Sequence, residues 1–193
     1  MLENDRKENF RDRDEKCSFY YRVGACRHGE ACEKKHMPPV RSYSVLIKNL
    51  YFFPSHNPEC TMTELAIQEH LELFYEDFFT EISITYGYII DMVIALNISD
   101  HLLGNIYIKF SREEEAIKCV EKLNTRFYAD RLICVELCHV DNLKKACCKE
   151  FENLECLRAG FCNFIHRAKI SQELLDELYD AQEIMYEMKN RLS

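Results

Sequence analysis

Two stretches of the chain place three cysteines and one histidine at short, matching intervals. In the first, Cys17, Cys26, Cys32 and His36 follow the spacing C-x8-C-x5-C-x3-H. In the second, Cys156, Cys162 and His166 repeat the C-x5-C-x3-H tail, and either Cys147 or Cys148 leads it, at x8 or x7. Three thiolates and one imidazole complete the closed tetrahedral shell of structural Zn2+, leaving no open position at which a water or substrate is activated. One such spacing arises by chance easily; a repeated tail does not, and the ligand-spacing rules read it as metal binding. The chemistry implied is shape: two Zn2+ ions, each fixing a small loop-rich unit. Stability in such units comes from coordination, worth about 10–16 kcal/mol in zinc-finger peptides near neutral pH, so metal removal is expected to unfold both.

Aromatic and basic residues are interleaved in both clusters. Phe19, Tyr20 and Tyr21 accompany Arg22 and Arg27 in the first, and Phe161 and Phe164 accompany Arg158 and Arg167 in the second. Single-stranded RNA stacks its bases on aromatic rings and Arg planes while backbone amides and side chains read the base edges. Some of these rings must instead cover the metal, because a small unit has little else for a core.

The charge distribution agrees with this division of labour. The net charge is −8, which disfavours phosphate contact over the molecule as a whole. The deficit is local. From Asn49 to Ile108 there is no Lys or Arg, while Lys16 to His36 carries five basic against two acidic residues and Lys144 to Lys169 six against three. Eleven cysteines in a short secreted chain would suggest disulfides, but the number is odd and the first sixteen residues are mostly charged. No signal peptide and no apolar run of membrane-spanning length are visible. A reduced intracellular setting is expected, with no membrane partner and no small-molecule substrate. No enzyme is expected either, for want of an open metal site, a nucleophile beside a base, or a phosphate-cradling glycine loop.

Between the clusters the hydrophobic pattern alternates between strands and helices. Strands are predicted over Ser44–Tyr51, Tyr88–Leu96, Gly104–Phe110 and Arg131–Cys138, and helices over Thr63–Tyr86 and Ser111–Asn124. Thr63 is the predicted N-cap of the first helix, and Ser111 with Glu114 a capping box for the second. The order βαββαβ is the ferredoxin-like plan of RRM domains. The fold class is therefore α+β: an RRM-like unit (residues 43–140) between two Cys3His fingers (14–38 and 146–168). A last helix (171–191) has a predicted apolar stripe of Leu174, Leu178, Ala181, Met185, Met188 and Leu192.

An RRM stacks bases on aromatics of its two central strands. Here Leu46 holds one such position, Asn105 another, Ile106 replaces a small residue, and only Tyr107 remains. The middle unit is expected to bind protein. Its first helix carries Glu69, Glu72 and Glu76 opposite the apolar face of Leu71, Phe74, Tyr75, Phe78 and Ile82, an acidic surface suited to a basic peptide.

The segments CSFYYRVGACRHGEACEKKH, DHLLGNIYIKF and ACCKEFENLECLRAGFCNFIH resemble the small-subunit family of the U2 snRNP auxiliary factor over roughly residues 14 to 175. The resemblance implies a nuclear splicing factor whose two fingers recognise the AG of a 3′ splice site in single-stranded pre-mRNA. It selects Cys148 as the fourth ligand of the second finger. It implies that the middle unit is a U2AF-homology motif, which pairs with the large subunit of the factor and holds a Trp-containing basic peptide between its first helix and an Arg-x-aromatic loop. That loop corresponds to Arg126, Phe127 and Tyr128, with Phe127 at a position commonly Trp. The RNA-contacting positions carried over are Phe19, Arg27 and Glu33 in the first finger and Arg158, Phe161 and Phe164 in the second. Glu33 stands where Ser is typical, which alters the expected base preference. A Cys3His regulator of mRNA turnover or translation, and a protein adaptor whose fingers never touch RNA, are the competing expectations. Steep salt dependence of RNA binding separates the adaptor from the other two.

Overall fold

The computed structural model describes residues 15 to 192, so Asp14, at the start of the first expected finger, lies outside the described residues. In chain order the elements are α1 (Ser18–Val23), β1 (Ser44–Lys48), α2 (Glu64–Thr85), β2 (Ile89–Ile94), β3 (Ile106–Phe110) and α3 (Glu113–Leu123). There follow β4 (Phe127–Tyr128), β5 (Arg131–Leu132), β6 (Cys134–Cys138), α4 (Leu143–Ala146), α5 (Lys149–Glu152) and α6 (Gln172–Leu192).

The strands form an antiparallel sheet in the order β2-β3-β1-β6, which is the RRM arrangement. Side chains alternate across it. Val45, Ile47, Met92, Ile94, Ile106 and Ile108 meet Phe74, Phe78 and Ile82 of α2 and Ala116, Cys119 and Leu123 of α3 in one core. On the other face Leu46 lies opposite Tyr107, and Tyr107 opposite Val93. That face is also buried, under Val23 of α1, Leu143 and Ala146 of α4, and Cys147 and Ile165 beside the second finger. Runs such as Val45-Leu46-Ile47 and Ile106-Tyr107-Ile108 lack alternation because neither face meets water. Burying Leu46 contributes roughly 1.5–3 kcal/mol, whereas burial of the Tyr107 ring is offset by its unpartnered hydroxyl.

Helix boundaries follow local chemistry. The Thr63 hydroxyl accepts from Ala66 N at 3.3 Å, capping α2 as expected. Of the capping box expected at Ser111 and Glu114, only the acidic half forms, one residue later. Ser111 N is still tied to Tyr88 O at 2.9 Å, so the helix starts after it, and buried Glu115 accepts through Oε2 from Arg112 N (3.2 Å) and Ser111 Oγ (2.9 Å). The predicted last strand is divided. Ala129 and Asp130, both in the left-handed region, turn a two-residue hairpin that pairs β4 with β5, and only β6 joins the main sheet.

Helix α6 packs along α2, with Phe79 edge-on to Tyr179 at 5.0 Å. Its inward face is Leu174, Leu175, Leu178, Tyr179, Gln182, Met185 and Tyr186; Ala181 and Met188 of the predicted stripe face water, and the Leu192 side chain lies outside the described residues. The stripe is displaced because a polar residue, Gln182, is buried in it. Its side-chain amide donates to Ile89 O (3.0 Å) and accepts from Ile89 N (2.8 Å), occupying the free edge of β2. At the opposite edge Asn124 does the same to Val135, at 2.7 Å in both directions. Exposed strand edges invite pairing with other chains, and at each edge here an amide side chain occupies the backbone groups of one residue, Ile89 or Val135.

Candidate metal centres and nucleic-acid interface

The two Cys3His segments are built alike. In each, a backbone bridge joins the residue before the first cysteine to the residue before the histidine, Lys16 to Lys35 and Cys147 to Ile165. A short helix starts directly after that cysteine, α1 or α5, and a 3-10 turn, Gly29–Ala31 or Ala159–Phe161, precedes the third. Three residues after the first cysteine stands an aromatic ring that stacks on the histidine: Tyr20 on His36 at 4.6 Å, Phe151 on His166 at 3.9 Å. These two rings cover the ligands, and Phe151 is one that spacing and composition do not single out.

The ligand atoms of Cys17, Cys26, Cys32 and His36 all lie within 4.8 Å of one another, as do those of Cys148, Cys156, Cys162 and His166. Neighbouring sulfurs stand 3.9 Å apart at Cys26 and Cys32, and 3.8 Å apart at both Cys148–Cys156 and Cys148–Cys162. A tetrahedron with metal–sulfur arms of about 2.3 Å has edges of about 3.8 Å. His36 Nε2 and His166 Nε2 are buried with no hydrogen-bond partner, as befits nitrogens that ligate. Both sets can hold a metal ion. Cys147 is not among them. It sits in the apolar cluster beneath the fingers, where burial pushes its thiol up to about 12, so Cys148 is the residue placed with the other ligands.

The fingers meet each other across the sheet. Phe19 packs edge-on against Phe164 with centroids 6.1 Å apart, the Arg22 guanidinium lies over Phe164 at 5.2 Å, and Arg27 Nη2 donates to Phe161 O at 3.2 Å. Phe161 itself is 62% exposed. Arg158 is paired with Glu150 at 2.6 Å, and Glu33 is exposed. The six positions expected to contact RNA therefore occupy the two neighbouring fingers, with Phe19, Arg27, Phe161 and Phe164 on the seam between them.

What seats the fingers is partly a feature that sequence patterns do not reveal. Asn97, fully buried, donates to Cys162 O (3.1 Å) and Phe164 O (3.0 Å) and accepts from His166 N (2.8 Å). Leu96 N and Ala168 N extend this into backbone pairing with His166 O and Ile94 O. The first finger docks through Gly24, which ends α1 at φ +79; a Cβ there would lie 3.2 Å from Tyr107 Cε1. Tyr107, the one stacking ring left in the RRM strands, is thus sealed under the first finger.

No protein-family model matches the chain. Among solved structures, the third RRM domain of Gbp2 overlays with a TM-score of 0.33 and 16% identity, covering 52% of this chain and 79% of that one. Curated sequences match far more extensively. The chain is 45% identical to the splicing factor U2AF 23 kDa subunit of Schizosaccharomyces pombe over 169 residues, 86% of this chain and 77% of that protein. It is 39% identical to the human splicing factor U2AF 26 kDa subunit, covering 84% and 77%. Identity to the splicing factor U2af 38 kDa subunit of Drosophila melanogaster is 42%, covering 84% and 65%.

The chain belongs to the U2AF small-subunit family.

In this member of the family, the Arg-x-aromatic loop lies against α2. Arg126 Nη1 pairs with Glu81 Oε1 and reaches Tyr86 OH at 3.2 Å. Tyr128 stands edge-on to Phe74 (5.4 Å) and Phe78 (6.4 Å), and Phe127 is 66% exposed. A groove of about 720 Å3 runs beside Tyr128, lined by Phe52, Met62, Leu73, Phe74 and Asp77 among others. The acidic residues beside this loop are Asp77 and Glu81; burial first, then their charges, push the Tyr128 hydroxyl pKa up. The expected acidic residues Glu69, Glu72 and Glu76 lie further toward the start of α2. Glu69 and Glu76 are exposed, but Glu72 accepts from Ser171 N and Gln68 Nε2, both at 2.9 Å. It is held within the chain at the start of α6, nine residues before Glu81, the partner of Arg126, on α2.

Proposed function

We propose that this protein holds two Zn2+ ions and reads the AG at the 3′ end of an intron with both fingers jointly. Its homology-motif unit takes a Trp-containing basic peptide of the large U2AF subunit, and the complex works in the nucleus. When bound, the zinc supplies no reaction, only a rigid scaffold of thiolate and imidazole ligands. The observation that carries the reading is the seam: Arg27 and Phe19 of one finger touch Phe161 and Phe164 of the other. One short RNA laid along it meets rings and cations from both fingers. The RRM face that would otherwise stack bases lies under those same fingers, which supports giving RNA to the seam and the outer helices to protein.

The test uses the full zinc-loaded chain, a labelled UAG-containing RNA and a Trp-containing basic peptide. RNA affinity should fall steeply with salt and be abolished by Cys32→Ser and by Cys162→Ser alike. Retained affinity in either variant rules out joint reading. RNA binding without peptide binding favours the mRNA regulator, and binding of neither favours the adaptor.

A further inference from the structure

The two fingers differ at one corresponding position in a way that holding a metal does not require. Two residues before the second cysteine stands Gly24 in the first finger and Leu154 in the other. Both take a left-handed backbone, at φ +79 and φ +62. That conformation suits glycine and strains a residue with a Cβ. Gly24 uses it to dock against Tyr107, whereas Leu154 is 80% exposed. Leu157, directly after Cys156, is 99% exposed. Two leucines in water, one of them on strained backbone, add nothing to the core of this chain.

Beside them opens a groove of about 680 Å3, lined by Phe53, Ile67, Leu71, Leu96, Ile98 and Leu154 among others. It is preformed where the second finger meets the end of β2: Ile98 N donates to Gly160 O at 3.0 Å, and a Cβ on Gly160 would lie 2.5 Å from Ile98 Cγ1. Among the described residues the lining holds no carboxylate and one lysine, Lys169. An exposed apolar surface of this kind fits an apolar side chain of a partner. The groove adjoins the one beside Tyr128. The turn Pro54–His56 stands between them, giving Ser55 and His56 to this groove and Pro54 to the other. On α2 the walls are Ile67 and Leu71 here and His70 and Leu73 there, which are neighbouring faces of one helix.

We propose that this groove receives a second anchor of the large-subunit chain, an apolar side chain flanked by basic residues and lying outside the Trp-containing stretch. The inference rests on the peptide reading above and extends it past the turn Pro54–His56 to the second finger. Continuity of the two grooves is one support, and charge is the other. Glu59 lines the groove beside Tyr128. Glu64, one turn before Gln68 on α2, and Glu155, next to Cys156, are exposed at the further one. No Lys or Arg occurs from Asn49 to Ile108, so a basic chain crossing the turn meets carboxylates at both grooves.

The experiment titrates the full zinc-loaded chain with two probes: the short Trp-containing basic peptide, and the same large-subunit segment lengthened by about ten residues at each end. About ten extended residues reach about 33 Å, well beyond the width of one helix. The longer probe should bind about tenfold more tightly, the weight of one buried leucine-sized side chain. That gain should vanish in Leu154→Gly and in Leu157→Ser, while the short peptide binds both variants as it binds the wild type. Leu154→Gly should melt no lower than the wild type, since glycine relieves the left-handed backbone, which separates a lost contact from a lost fold. If the longer probe gains nothing, or keeps its gain in both variants, the groove holds no large-subunit anchor, although the peptide reading stands. Self-association of the chain that Leu157→Ser abolishes would give the surface to a second copy instead. If the short peptide fails to bind the wild type, the peptide reading falls and this inference with it.

Discussion

Arg27 of the first finger donates through Nη2 to the carbonyl oxygen of Phe161 in the second, at 3.2 Å and across 134 positions of sequence. Two metal units at opposite ends of the chain thereby become one surface. The bond is exposed, so its net contribution to stability is small, on the order of 1 kcal/mol or less. Its consequence is geometric: it fixes where one ring-and-cation set stands relative to the other.

Arg27→Ala should therefore leave thermal stability nearly unchanged while lowering affinity for an AG-containing RNA about tenfold. Fluorescence anisotropy together with a thermal melt checks both halves. A large drop in melting temperature with unaltered RNA affinity would mean that Arg27 is structural.

Cys148→Ser should reduce bound zinc from about two equivalents to about one. Cys147→Ala should retain both ions and cost about 1–2 kcal/mol for a smaller side chain in the apolar cluster. Metal analysis of the two purified variants distinguishes them; zinc loss in Cys147→Ala would place the ligand one residue earlier.

Asn97→Ala strands His166 N, Cys162 O and Phe164 O in a buried site. Leaving such groups unpaired should destabilise the chain by about 2–5 kcal/mol, or roughly 5–15 °C in melting temperature for a chain of this size. Hydrogen exchange should rise first at 160–168 and less in the first finger. Uniform loosening of both would contradict the role given to Asn97.

Binding of a Trp-containing basic peptide should weaken about tenfold in Arg126→Ala and in Glu81→Gln, and hardly at all in Glu69→Gln. Arg126 and Glu81 are both partly exposed, so neither substitution should alter folding much. Calorimetric titration reads the difference, and equal losses in Glu69→Gln and Glu81→Gln would restore the broader acidic surface.

Much of this was legible because short-range chemistry writes itself in spacing. The two C-x5-C-x3-H tails and the x8 spacing to Cys17 named seven of eight ligands, since tetrahedral coordination by a tight loop admits few intervals. The order of strands and helices gave the RRM plan, and Thr63 announced its helix because an N-cap is a local hydrogen bond. The choice between Cys147 and Cys148 was not written there. It depends on which thiol the bridge to Ile165 turns toward the other ligands and which it presses into the apolar cluster. Glu81 escaped notice for a similar reason: helical spacing groups acids by face, but only the hairpin at Ala129 and Asp130 decides which of them meets Arg126. Asn97, Asn105 and Gln182 are ordinary polar residues in sequence, and their hydrogen bonds run to backbone groups supplied by distant segments. The sequence by itself determined seven of the eight candidate ligands, the succession of strands and helices, and the family. Tertiary structure decided that both fingers lie on the same sheet face, touching each other, because only the folded chain brings Val23, Tyr107, Cys147 and Ile165 into one buried layer.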